Sequence, residues 1–273
     1  MVFPKTKLII KIIAGAVLVG WLFLMIAFRP SHNRDWEVGQ EQLPRIEIEN
    51  EKIVIENFRN FDWKSEEDVD KNYETREFNL EKLERTDVFI SHFDDFEGLA
   101  HIFLSFGFTD GEQIVISMET RREKDEEFSP LLGILRQFEF LYVVGSEEDV
   151  VGLRTDLRDE RVYLYSSIAT PEITQKLFVE IAKDVNSIYE KPQMYNTLTS
   201  NCTNELTQKV EQVANINFPL TWKTVLPGYF DEILFEMGLL ETDQDFIQTK
   251  ASRLIDNNSV NRYNPNFKQI LRD

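Results

Sequence analysis

The sequence predicts an α+β protein behind one N-terminal apolar helix, and three observations predict it. Residues 8–28 are apolar apart from Lys11. Alternating, β-branched and aromatic segments cluster between residues 86 and 168. After Thr170 helical periodicity takes over, and strands followed by helices form the α+β pattern. With 42% apolar residues and 21 Phe among 273 residues, the chain is globular and long enough to bury a core.

The first 28 residues read as a membrane anchor. From Ile12 to Phe28 no polar side chain occurs, and only Lys11 interrupts the run back to Leu8. At about 1.5 Å per residue, a helix of this length spans roughly 30 Å, the hydrocarbon thickness of a bilayer. A cleaved signal peptide carries a shorter apolar region ending in small residues. Here the run ends Ile26-Ala27-Phe28, so an uncleaved anchor is expected. Lys5, Lys7 and Lys11 outweigh Arg29 on the other side. That places the N-terminus in the cytoplasm and the body outside it; in a bacterium this means an inner-membrane anchor with the body in the periplasm or at the outer face.

Residues 29–85 read as an extended, charge-rich approach, with short strands at Arg45–Glu49 and Lys52–Glu56 and a polar loop over Ser65–Glu77. Val88–Ser91 and Leu99–Phe108 read as strands, Thr109-Asp110-Gly111 as a turn, and Gln113–Thr120 as the returning hairpin partner. A helix over Phe128–Phe138 and strands at Phe140–Val144 and Arg161–Ile168 follow. Thr170 caps a helix that opens with Pro171 and carries Ile173, Leu177, Ile181, Val185 and Ile188 on one face. Another starts near Cys202 with Leu206, Val210 and Val213 as its stripe, and a third covers Gly228–Leu240. The Asn-rich tail from Asp256 shows no periodicity. The expected division is an anchor (1–28), an approach (29–85), a catalytic domain (86–230) and a C-terminal helix and tail (231–273).

The net charge of −18 is uneven, since residues 1–28 hold three Lys and no acid. The acidic body lacks the clustered Lys and Arg that nucleic acid requires. One Cys and three scattered His exclude an intramolecular disulfide and multi-cysteine metal sites, so neither metal nor organic cofactor is expected.

The sole thiol stands in Leu198–Glu205 (LTSNCTNE), where Ser200 and Asn201 precede a helical pattern and put Cys202 in its first turn. Unpaired N–H groups and the helix dipole there favour a thiolate, the form a nucleophile needs. The spacing of Cys202, Leu206 and Val210 equally fits a small buried core residue. His32 follows the anchor, and His92 precedes Asp94-Asp95 in what reads as an exposed loop. His101 lies within a strand, sharing a face with Phe103 and Ser105 while Ala100, Ile102, Leu104 and Phe106 take the other. It is either a satisfied core histidine or a positioned base. With a three-residue loop and Gly111 left-handed, Phe108 pairs with Glu112 and His101 falls opposite Glu119, whose carboxylate would orient the imidazole. A two-residue Asp110-Gly111 turn would put Glu119 on the other face. Both turns fit the sequence.

These segments resemble the Lnb N-terminal periplasmic domain family. The resemblance rests on AHIFLSFGF-TDGEQIVISMETRRE (Ala100–Glu123), SPLLGILRQFEFLYVVG (Ser129–Gly145), GLRT (Gly152–Thr155), VYLY (Val162–Tyr165) and YNTLTSNCTNE (Tyr195–Glu205), with NRDW (Asn33–Trp36) and NFRNFDW (Asn57–Trp63) upstream. It implies a circularly permuted papain-like, NlpC-type fold with a central antiparallel sheet and flanking helices, the histidine strand preceding the cysteine helix. It also implies Cys202 as nucleophile and His101 as base, with Glu119 the inferred third member. Founding members of the family are linked to lipoprotein N-acylation. This chain shows one apolar segment and none downstream, which bears on the acyl acceptor more than on the cysteine chemistry.

The expectation is therefore a membrane-tethered cysteine acyltransferase with membrane lipid as partner and a lipoprotein N-terminus as candidate acceptor. Asn201 and helix N–H groups would stabilise the oxyanion. Arg121 and Arg122 would either meet a phosphate headgroup or form a plain surface pair. The alternatives are a cysteine peptidase or amidase acting on cell-wall peptides, and a non-catalytic envelope binding module with Cys202 in its core.

Overall fold

A computed structural model describes residues 4–27, 29–66, 68–197 and 199–272. Residues 1–3 and Phe28 of the expected anchor, Glu67 of the expected loop, Leu198 beside the thiol and the terminal Asp273 lie outside the described residues. Pro4–Ala27 form helix α1. Its Lys7–Leu24 window has mean hydropathy 2.1 and packs against nothing, and by length and composition it is able to cross a membrane.

Among the described residues the strands are β1 (Arg45–Glu49), β2 (Lys52–Arg59), β3 (Asp62–Trp63), β4 (Val69–Asp70), β5 (Tyr73–Asn79), β6 (Leu83–His92), β7 (His101–Phe108), β8 (Gln113–Arg121), β9 (Glu139–Gly145) and β10 (Arg161–Ser166). Eight form one sheet in the order β1-β2-β9-β8-β7-β6-β10, with β5 also on β2. The sheet is mixed, not antiparallel as expected, because β2 and β9 run parallel at Arg59↔Gly145. No turn joins these two strands, so nothing imposes an antiparallel sense. The approach is close enough that a Cβ on Gly145 would meet the Arg59 carbonyl oxygen at 2.5 Å. The segment expected as an approach thus contributes β1, β2 and β5 to the same sheet as β6–β10. Most of the expected loop over 65–77 becomes β4 and β5.

The shorter helices are α2 (Pro130–Ile134) and α3 (Glu147–Gly152); α4 (Pro171–Glu190) and α5 (Cys202–Ala214) are the long ones; α6 (Trp222–Val225), α7 (Phe230–Glu236), α8 (Phe246–Ser252) and α9 (Phe267–Ile270) follow. Helix α2 falls short of the expected span because Arg136 adopts φ +61° and leaves the helical region. In the third expected helix, Pro227 opens a separate 3₁₀ turn before α7. The Thr170 cap and Pro171 start of α4 are as expected. The helix buries Leu177, Phe178, Ile181, Val185 and Ile188, each side chain contributing roughly 1.5–3 kcal/mol by removal from water.

Alternation along β7 assigns the two faces of the sheet. Phe106 meets Phe178 of α4 edge-on at 5.2 Å, whereas the Ser105 hydroxyl donates to Glu147 of α3 at 2.6 Å. On that second face Arg272, near the C-terminus, pairs with buried Asp87 at 2.9 Å and buried Glu147 at 2.5 Å, tying the tail across the sheet.

Residues just after α1 are fastened to the start of β9. The Ser31 N–H donates to Glu139 Oε1 at 2.8 Å, and Arg34 Nε lies 3.3 Å from the same oxygen. Burial pushes the Glu139 carboxyl up to about 7, against the Ser31 N–H, Arg34 and Arg121. A raised carboxyl favours the fold below its unfolded value and loses that contribution as pH rises through 7. The stability of Glu139→Gln should therefore gain on the wild type by roughly 3 kcal/mol between pH 4.5 and 7.5. Urea denaturation across that range reads the difference, and parallel curves would refute it.

Candidate active site

Gly111 sits at φ +86° and the Phe108 N–H donates to the Glu112 carbonyl at 3.0 Å, so the hairpin has the three-residue loop. The β7–β8 ladder runs from Gly107↔Gln113 to Leu104↔Ile116 and stops there. Both strands continue, β7 back to His101 and β8 on to Arg121. Beyond the last pair the strands part, and the opening between them holds the polar groups of interest.

His101 Nε2 lies 2.7 Å from Ser117 Oγ, and that hydroxyl donates to Glu119 Oε1 at 2.9 Å. A hydroxyl has one proton. Since Ser117 gives it to the carboxylate, it accepts from His101 Nε2–H. The imidazole is thereby fixed in the Nε2–H tautomer with its Nδ1 lone pair unused, and Nδ1 has no hydrogen bond among the described residues. Arg154 closes the chain: its Nη2 donates to Glu119 Oε1 at 3.0 Å, its Nη1 donates to the Val150 carbonyl, and its guanidinium covers the Phe103 ring at 4.8 Å. A wide π-type turn over Leu153–Leu157, following α3, delivers this buried arginine.

The charges follow from this geometry. Burial pushes the Glu119 carboxyl up, but Arg154, His101, Arg59 and the Ser117 hydroxyl together hold it well below the usual carboxylate range. Burial, with Arg154 next, lowers His101 to about 4, outweighing the pull of Glu119. His101 is thus a neutral acceptor at neutral pH.

Cys202 opens α5. Asn201 is the N-cap, its side chain accepting from the Asn204 N–H at 2.9 Å and donating to the Thr197 carbonyl at 2.7 Å. Residue Cys202 is partly exposed and approaches β7 at Ile102, lining a small cavity with Ile102, Leu104, Ile116 and Met118. Burial raises its pKa, opposed by the Ile102 N–H, the Thr203 hydroxyl and the N–H groups of Thr203 and Cys202. The sulfur therefore faces the peptide that joins His101 to Ile102. No hydrogen bond links thiol and imidazole in this structure; the sulfur lies 4.0 Å from Thr203 Oγ1.

The structure brings His101 and Glu119 together, as expected from the hairpin, but through Ser117. It seats Cys202 on the neighbouring peptide, from the opposite face of β7. Asn201 has both ends of its amide engaged in capping. Arg121 is not a surface cation: it is 2% exposed, donates to the Gln40 and Glu41 carbonyls at 2.9 Å each, and its guanidinium carbon lies 4.0 Å from the Trp36 ring centroid. Arg122 pairs with Glu37 at 2.6 Å. Both arginines hold residues 36–41 against β8. His92, expected in an exposed loop, is 3% exposed at the end of β6 against Tyr163, because β6 extends further than its apolar core suggested. Ser117 and Arg154 were missed as site residues; the signal for Ser117 was its place on the same face of β8 two residues before Glu119, diagonal to His101 in the hairpin register.

The end of the sheet that holds His101 also holds the junction to α1. Phe93, Phe96, Leu131, Ile134 and Trp222 are exposed around it. Among the described residues no group of three or more His, Cys, Asp or Glu is placed to hold a metal ion.

Fold and site together define an α+β domain with a thiol at a helix N-terminus beside a histidine strand, behind a helix able to cross a membrane. The family model of the Lnb N-terminal periplasmic domain matches residues 69–228, more than half of the chain, and the chain belongs to that family. No curated protein and no solved structure gives a significant match.

Proposed function

We propose that this protein is an inner-membrane-anchored cysteine acyltransferase of the bacterial envelope on a permuted papain-like fold, its body on the periplasmic side, moving a fatty acyl group from phospholipid to an amine such as a lipoprotein N-terminus. The observation that carries this reading is the fixed tautomer. Glu119 and Ser117 hold His101 with Nδ1 unbonded, and Cys202 reaches the next residue of the same strand, Ile102, from the other face.

In the reaction His101 Nδ1 takes the thiol proton while sulfur attacks the ester carbonyl carbon. The oxyanion forms near the Ile102 and Thr203 N–H groups. Collapse breaks the C–O bond, and the leaving alkoxide takes the proton from His101. The acceptor amine then attacks the thioester, gives its proton to His101 and expels the thiolate, which recovers that proton. Because thiol and imidazole are both neutral at rest, proton transfer accompanies attack and no thiolate–imidazolium pair precedes it.

The test uses the full chain in nanodiscs with phospholipid and an amine-bearing diacylglyceryl-cysteine peptide. Acyl mass on Cys202, chased to the peptide, is the expected result. Turnover of muropeptides with no acyl adduct would favour the peptidase or amidase instead. The resting thiol, raised in pKa and unbonded to a base, supports a second reading as a non-catalytic envelope module, for which neither reaction occurs.

A pH prediction follows from the charge order. Burial and then Arg154 keep His101 protonated only below about 4, so the acid limb of kcat/KM should fall near there and not near 6.5. Arg154→Gln removes a cation and unmasks Glu119, moving the limb upward; Glu119→Gln moves it downward. Identical profiles for the two variants would refute the arrangement.

A further inference from the structure

A cavity of about 250 Å³ lies beneath α5, bounded by β6, β7, α4 and α7. Its lining is almost wholly hydrocarbon, with Val88, Ile173, Val210, Ala214, Phe230 and Leu234 among the walls. Two residues, Leu104 and Leu206, line both this cavity and the smaller one that holds the Cys202 sulfur. The apolar stripe of α5 bears the mark of the void: Leu206 and Val210, which line it, are only partly buried, although they face the body of the protein. Native interiors close such spaces because each lost contact weakens the fold. An apolar space kept open beside a reactive group is a place for an apolar ligand.

We infer that this cavity receives the hydrocarbon chain of the acyl group carried on Cys202, with Leu104 and Leu206 as the gate between thiol and cavity. The inference rests on the acyl-transfer reading and adds a chain-length specificity to it. A water-sized group occupies about 30 Å³, and a methylene is of similar bulk, so the space takes about eight methylenes. Each buried methylene strengthens binding about fourfold, equivalent to about 0.8 kcal/mol, until the space is filled. Filling it from α5 with a larger side chain shortens the chain accepted.

The full chain in amphipol is treated with p-nitrophenyl esters from acetyl to palmitoyl, and acylation of Cys202 is followed by intact mass. Rates should rise about fourfold per methylene and level off near about eight to ten carbons. Val210→Trp and Ala214→Phe, each checked for wild-type melting so that one folded variant suffices, should lower the octanoyl-to-acetyl rate ratio at least tenfold. An unchanged ratio in a folded variant overturns the inference while leaving the thiol chemistry intact. No adduct at any chain length overturns the acyl-transfer reading itself. Binding of 1-aminoanthracene to Cys202→Ala then decides the cavity independently: saturable fluorescence lost in the Val210→Trp double variant supports an apolar ligand site, and its absence or persistence refutes one.

Discussion

Asp149→Ala should cost the fold about 3–5 kcal/mol, the range for stranding a buried charge, and lower the melting temperature by about 10 °C. Asp149 is fully buried in α3. It accepts from Arg59 Nε and Nη2 at 2.9 Å each, from the Phe61 N–H at 3.0 Å and from Trp63 Nε1 at 2.8 Å. The Arg59 guanidinium in turn packs on the rings of Phe61 and Trp63. Truncating the carboxylate leaves a buried guanidinium and two donors without partners, and each unmade bond carries its full desolvation cost. Replacing both charges, as in Arg59→Met with Asp149→Leu, should cost markedly less than Asp149→Ala alone. Denaturant curves of the three proteins check this. A single variant within 1 kcal/mol of wild type would mean that the network carries little.

Cys202→Ala should abolish acyl transfer, a loss of at least about 10⁴-fold, with little change in melting temperature since a single sulfur is removed from a residue that is itself partly exposed. His101→Gln should lose about 10²–10⁴-fold, the usual contribution of a positioned base. Ser117→Ala separates positioning from chemistry: the imidazole keeps its nitrogen but loses the group that fixes its tautomer, so kcat should fall more than KM changes. Activity surviving in Cys202→Ala assigns the chemistry elsewhere, and survival in His101→Gln alone removes the base.

What could be read in the residues was local. The hairpin register was legible because Gly111 and the lengths of the flanking runs decide it, up to the choice between two turns. The helix at Cys202 was legible because Asn201 and the stripe of Leu206, Val210 and Val213 mark its start and face. Strand β5 was not, since Tyr73–Asn79 is mostly polar and charged and is held by pairing with β2, a partner that no local pattern names. Arg121 looked like a surface charge beside Arg122; Trp36, 85 positions earlier, turns it into a buried residue. Arg154 lay in a quoted motif, but its contact with Glu119 depends on a π-type turn that periodicity does not report. The relay through Ser117 required both strands in place.

The most direct test is the pH dependence of Cys202 acylation in the full-length protein, with p-nitrophenyl butyrate as donor and intact mass as readout. The geometry predicts one acyl group on Cys202, formed at a rate that stays level from pH 7 down to about 5 because His101 remains neutral there, and at least 100-fold slower in His101→Gln. No adduct, or an adduct formed equally fast without His101, would contradict the assignment of Cys202 as nucleophile and His101 as its base.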